Sequence, residues 1–125
     1  MALRRDDTIA ALATAAGVGA IAIVRLSGPA ARTIVRALTG LDPRPREASL
    51  CSFIDADGEP LDRGLVLFFE GPRSFTGEDV VELHCHGGRV VSDALLEAAC
   101  AHGARPAEAG EFTLRAFLND KLDLL

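Results

Sequence analysis

The segment Ser74-Phe-Thr-Gly-Glu-Asp-Val-Val-Glu-Leu-His-Cys-His-Gly-Gly88 gathers carboxylates, two imidazoles and a thiol within fifteen residues. Alternation through it places Val80, Glu82, His84 and His86 on one face of a strand and Val81, Leu83 and Cys85 on the other. The second set reads as a core face. A strand buried on both sides has no need of Glu82, His84 and His86, so this polar row marks the wall of a ligand pocket, a metal site or a merely solvated face. Imidazole and carboxylate suit a transition metal. Cys85 points the other way, however, and no second ligand cluster accompanies the histidines, so no metal is expected. Arg25 is a second chemical oddity, an arginine inside the apolar run Ile21-Ala-Ile-Val-Arg-Leu-Ser27. Such an arginine usually has a carboxylate partner. Its planar guanidinium also suits a clamp on a ligand carboxylate, and the sequence leaves both roles open.

The elements that must position these residues follow from pattern. Residues 8–14 form a short apolar run, and Ile21 to Ser27 is rich in β-branched side chains and reads as a strand. Pro29 suits a helix start. Ala31, Ile34, Val35 and Leu38 recur at helical spacing, and Gly40 closes that helix. Residues 49–56 and 61–70 read as strands joined around Asp57-Gly58. After Gly88, Val91, Ala94, Leu95 and Ala98 define a helix ending near His102-Gly103, and a shorter helix carries Phe112, Ala116 and Phe117. Strands and helices in this order, with a hairpin in the middle, predict an α+β fold with a mixed sheet and packed helices.

Composition bounds the rest. The chain has 125 residues, enough for one domain with its own core, with 49% hydrophobic and 25% charged residues. A net charge of −5 gives no general attraction to a phosphate backbone, although a local basic patch remains compatible with it. Three cysteines without a short-range pattern fit a reducing compartment, Cys51 and Cys100 being read as small core residues. No apolar run approaches a membrane span, and the N-terminus lacks the pattern of a secretory signal. Gly17-Val-Gly19-Ala-Ile-Ala22 resembles a dinucleotide loop only loosely, because a strand and not a helix follows it. No G-x-x-x-x-G-K-[ST] loop is present, so these residues are expected not to hydrolyse GTP.

The blocks Asp7-Thr-Ile-Ala10, Val24-Arg-Leu-Ser-Gly28, Gly71-Pro-Arg-Ser-Phe-Thr-Gly-Glu-Asp-Val-Val-Glu-Leu83, His86-Gly-Gly88 and Gly110-Glu-Phe-Thr-Leu-Arg-Ala-Phe-Leu-Asn-Asp-Lys-Leu-Asp123 resemble, in order and over nearly the whole chain, the N-terminal domain of the tRNA-modification GTPases of the MnmE (TrmE) family. The resemblance implies a tetrahydrofolate-binding domain similar in fold to the folate domain of the glycine-cleavage T-protein. It implies a folate-binding and dimerisation domain over residues 1–120, with residues 121–125 opening a truncated helical domain. It further implies a cytoplasmic bacterial protein that forms a homodimer and works with the flavoprotein MnmG (GidA). Together they add an aminomethyl-type group to C5 of the wobble uridine of tRNAs, the one-carbon unit coming from 5-formyl- or 5,10-methylene-tetrahydrofolate. GTP, magnesium and potassium belong to the G domain of such a protein. By match to the family's ligand positions, Arg25, Glu82 and Lys121 are assigned to the folate site, with His86 nearby and no residue assigned a catalytic role. A carboxylate such as Glu82 can accept the paired N–H donors of a pterin edge, and the folate tail ends in carboxylates that seek Arg or Lys. Departures lie in the loop Ala15-Ala-Gly-Val-Gly-Ala20, where the family usually has Pro-Pro-Gly-Arg-Gly-Gly, in Cys85 for glycine and in Ala109 for proline. The alternatives are a dimerisation scaffold with a decayed folate site, or a free-standing folate-dependent aminomethyl transferase.

Overall fold

A computed structural model describes residues 6–13, 21–86 and 88–120. Its strands are β1 (Thr8–Leu12), β2 (Ile21–Ser27), β3 (Ser49–Ile54), β4 (Pro60–Phe69), β5 (Val80–His86) and β6 (Ala104–Pro106). Its helices are α1 (Ala31–Thr39), α2 (Arg89–Ala101) and α3 (Glu111–Leu118). The strands make one mixed sheet in the order β3-β4-β5-β2-β1-β6, antiparallel throughout except where β6 runs parallel to β1. The α+β expectation holds. The three-residue β6 is an addition, since a strand ending in Pro106 has no sequence signal and forms because α2 returns the chain to the β1 edge.

Both longer helices cover one face of the sheet. Ala22, Val24 and Leu26 of β2, Val81, Leu83 and Cys85 of β5, Val66 and Phe68 of β4, and Cys51 and Phe53 of β3 bury their side chains there. They pack with Ala31, Ile34, Val35 and Leu38 of α1 and Leu95, Ala98 and Ala99 of α2. Burial of this apolar surface is the main favourable term in the fold. Gly40 ends α1 in the left-handed conformation, φ 73°, and returns its N–H to the Arg36 carbonyl. Cys51 and Cys85 are buried and Cys100 is half-buried; desolvation raises all three thiols above the ordinary cysteine value, which suits packing rather than nucleophilic chemistry.

The other face is covered only in part. Its residues form three rows across the strands: Ile9–Ser27–Val80–Phe69, then Ala11–Arg25–Glu82–Leu67, then Ile23–His84–Leu65–Leu50. Ile9, Ser27 and Val80 of the first row are at most 2% exposed, whereas Leu65 and Leu50 in the third are 40% and 59% exposed. The cover over the first row is α3 together with residues 71–79.

A charged clasp holds that cover. Arg115, 2% exposed, donates to the Asp7 carbonyl at 2.8 Å and to Glu78 Oε1 at 3.1 Å, and pairs with the carboxylates of Asp7 and Glu111. Arg105 pairs with the same two carboxylates from β6. Ser27 Oγ donates to Glu78 Oε1 at 2.8 Å and Asn119 Nδ2 to the Thr76 carbonyl at 2.9 Å, so α3, the strand edge and the loop form one network. The apolar reading of α3 is therefore corrected. Ala116 is buried as expected, but Phe117 is 39% exposed, and the charged pair Glu111 and Arg115 is buried. A guanidinium that satisfies three carboxylates at once can enter the interior where an unpaired charge cannot.

Candidate functional site

Arg25 and Glu82 face each other in register at the border between the covered and open parts of the second face. Arg25 Nε and Nη2 donate to Glu82 Oε2 at 3.1 and 2.8 Å. Glu82 Oε1 lies 3.1 Å from His84 Nε2. An ionised carboxylate only accepts, so this contact calls for the Nε2–H form of His84. Burial pushes the Glu82 carboxyl up, but the Arg25 and His84 hydrogen bonds outweigh it and hold the group below the usual glutamate value. Glu82 is thus an ionised acceptor, and the side chains of the pair remain 28% and 16% exposed.

Two aromatic rings wall the pair. The Arg25 guanidinium carbon lies 5.8 Å from the centre of the Phe75 ring and 5.9 Å from that of Phe112. Phe75 comes from residues 71–79 and Phe112 from α3, so both walls belong to the segments that the Arg115 clasp fixes. Arg25 is held at once by a carboxylate and by two ring faces, each of which attracts a cation. The half-buried Arg25–Glu82 pair thus sets charge of both signs beside two rings, a combination that suits a planar polar ligand.

Of the residues assigned from sequence, Arg25 and Glu82 come together. His86 shares their face, but it sits four residues beyond Glu82, about 13 Å along the strand. There its Nδ1 lies 2.8 Å from Asp62 Oδ1, and its backbone N–H donates to Asp62 Oδ2 at 2.8 Å. Burial raises Asp62, but the donors from His86 and Arg63 prevail and keep it ionised below the usual range. Lys121, the altered loop at residues 15–20 and Gly87 lie outside the described residues. Among the described residues no group of three His, Cys, Asp or Glu is arranged to hold a metal ion, and no helix is long and apolar enough to cross a membrane.

Sequence reasoning missed Phe75, Phe112, Asp62 and the Arg115 clasp. For Arg115 a signal existed, because Glu111 and Arg115 stand at i and i+4 on a helix. For the two rings there was none, since what brings them to Arg25 is the folding of a loop and a remote helix over the sheet.

The fold and this face define the class: an α+β domain with a mixed sheet, its two longer helices on one side, and a charged, ring-walled site beside the short third helix on the other. The family described as the GTP-binding protein TrmE N-terminus matches residues 8–121, and the chain belongs to that family as an N-terminal domain of the MnmE/TrmE kind. Among its relatives is a tRNA modification GTPase MnmE of Chromohalobacter salexigens, 57% identical over 98% of this chain and 27% of its own length. Proteins of the same name from Stutzerimonas stutzeri and Neisseria meningitidis are 60% and 57% identical over 94% of this chain and 26% of their lengths. The chain thus spans about a quarter of the relatives it matches.

Proposed function

We propose that this domain binds a tetrahydrofolate derivative on the second face of its sheet, and that it is the folate-binding and dimerising part of a tRNA-modification GTPase. The observation that carries the reading is the ionised Glu82, held by Arg25, whose guanidinium lies near both Phe75 and Phe112. A pterin presents an N–H and an amine side by side, a donor pair that a carboxylate accepts in parallel, and its ring can lie against a phenyl face. Arg25, and Lys121 by family position, would serve the carboxylates of the tail, with His86 farther along the same face.

The whole-protein part of the reading rests on the relatives' names and on the family resemblance. In it, GTP with magnesium and potassium is handled by a separate G domain. MnmG is the flavoprotein partner, and the wobble uridine of tRNA receives the aminomethyl-type group at C5. The likeness to the T-protein folate domain and a cytoplasmic setting belong to the same proposal. Dimerisation is supported by Leu50 and Leu65, cross-strand neighbours exposed at 59% and 40% on the open part of the face.

One observation favours the scaffold alternative. Glu82 already accepts from Arg25 on one oxygen and from His84 on the other, so a pterin can bind it fully only if one of those donors gives way. Calorimetric titration of the chain with 5-formyltetrahydrofolate separates the two readings. Saturable binding with one ligand per chain is expected. Absence of any binding heat at ligand concentrations up to millimolar would favour the scaffold.

A further inference from the structure

The second face continues, past Phe75, into a groove of which the folate reading uses only Phe75. Arg46, Phe69, Arg73, Ser74 and Phe75 line it. Phe75 is 44% exposed, the most exposed of the phenylalanines among the described residues. The Arg46 guanidinium carbon lies 6.0 Å from the centre of the Phe69 ring, and its Nη2 donates to the Arg73 carbonyl at 3.3 Å. One arginine thereby ties residues 43–47 to residues 71–79. The tie is built with care: the Arg46 N–H donates to the Phe68 carbonyl at 2.8 Å, and Pro45 makes an isolated bridge to Phe68.

Arg46 is also one of two non-glycine residues with positive φ among the described residues, at 63°. A side chain in that conformation costs free energy, and such outliers gather at ligand clamps, where surrounding contacts impose them. Here the positive φ accompanies the Arg46 N–H bond to the Phe68 carbonyl and the placement of the guanidinium near Phe69. Neither Arg46 nor Arg73 has a carboxylate within ion-pair distance among the described residues, although Glu70 lines an adjoining hollow with both. The groove therefore offers two guanidinium groups without a contact ion pair, beside two rings, on a chain whose net charge is −5.

Guanidinium groups beside an exposed ring recognise a phosphate next to a flat heterocycle, the pattern of single-stranded nucleic-acid sites. From this geometry we infer that the groove holds an unstacked nucleotide of a single-stranded RNA, its phosphate on Arg46 and Arg73 and its base against Phe75. The choice of RNA over other polyanions rests on the tRNA part of the proposed function. Phe75 is shared, since Arg25 lies 5.8 Å from its ring centre and it also lines the groove, so the RNA and folate sites would be neighbours.

The test is fluorescence anisotropy of the 125-residue chain with a short labelled uridine-rich RNA across a salt series. Saturable binding is expected. Arg46→Gln with Arg73→Gln should weaken it about tenfold or more and reduce the logarithmic salt slope by about 0.7, the loss of one single-strand phosphate contact. Arg63→Gln with Arg89→Gln removes the same charge elsewhere and should leave binding and slope unchanged. Circular dichroism of all three proteins confirms that they are folded, and 5-formyltetrahydrofolate titration is run alongside. The inference is overturned by absence of saturable RNA binding, by equal losses in the two double variants, or by a loss of folate affinity with RNA binding intact in the groove variant. If folate fails to bind while RNA binding depends on Arg46 and Arg73, the folate reading falls and the groove stands.

Discussion

Glu82 is where stability and binding make different demands on one side chain. Its partner Arg25 lies directly across β2 and β5, in a setting between a solvated and a buried ion pair. Glu82→Gln keeps the shape, removes the charge and turns one acceptor into a donor facing Arg25 or His84. The expected destabilisation is about 1–3 kcal/mol, above the range for exposed pairs and below that for breaking a fully buried one. If Glu82 also receives a pterin, folate affinity per folded molecule falls by a further factor of roughly 10 to 150, the equivalent of ~1.5–3 kcal/mol for hydrogen bonds to a charged acceptor. Thermal melting and calorimetry on the same variant read the two effects separately. A destabilised variant with unchanged folate affinity would remove Glu82 from the ligand site and leave it a structural ion.

At the scale of elements, α3 is attached by charge more than by grease. Replacing Arg115 with Met keeps much of its volume but leaves Asp7, Glu78 and Glu111 short of a shared cation. The expected cost is about 3–5 kcal/mol at neutral pH, measured by urea unfolding, with the walls Phe75 and Phe112 loosened together. The clasp also predicts an acid limb. Burial raises Asp7, but hydrogen bonds from Arg105 and Arg115 hold it below its ordinary 3.8; the Arg105 hydrogen bond is the chief reason that Glu111 lies below its ordinary 4.5. In acid the unfolded chain then binds more protons than the folded one. Stability is full above pH 4.5, and it declines as the pH falls through that value toward the lowered folded values. Glu111→Gln should flatten this decline in a pH series of melting temperatures, and an unchanged slope would show that the clasp does not drive it.

For the whole molecule, the open apolar corner of the sheet and the family reading point to a homodimer. Sedimentation of the wild-type chain at tens of micromolar is expected to show dimer, and Leu50→Glu with Leu65→Glu to show monomer, since two carboxylates at the centre of an interface are costly to desolvate. A wild-type chain that sediments only as monomer would count against the proposal. GTP hydrolysis by these 125 residues is expected to match a buffer blank, because no phosphate-cradling G-x-x-x-x-G-K-[ST] loop exists in them. Turnover above the blank by pure protein would overturn that expectation.

Much of this architecture was legible before any coordinates. The period of two through Val80 to His86 separated a core face from a polar face, because alternate side chains on a strand must point opposite ways. Apolar spacing likewise set out α1 with its glycine cap, and a lone Arg25 in an apolar strand called for a carboxylate, of the chain or of a ligand. What the sequence could not say was which carboxylate. Arg25 and Glu82 are 57 residues apart, and only the register of β2 against β5 makes them neighbours. The same holds for Phe75 and Phe112 and for the Asp7–Arg115 pair, 108 residues apart. Local pattern encodes which face a side chain occupies, because that depends on the backbone geometry of its own element. Which side chains meet on that face depends on strand order and on the folding of a loop and a helix over the sheet, and those are decided by packing among segments far apart in the chain.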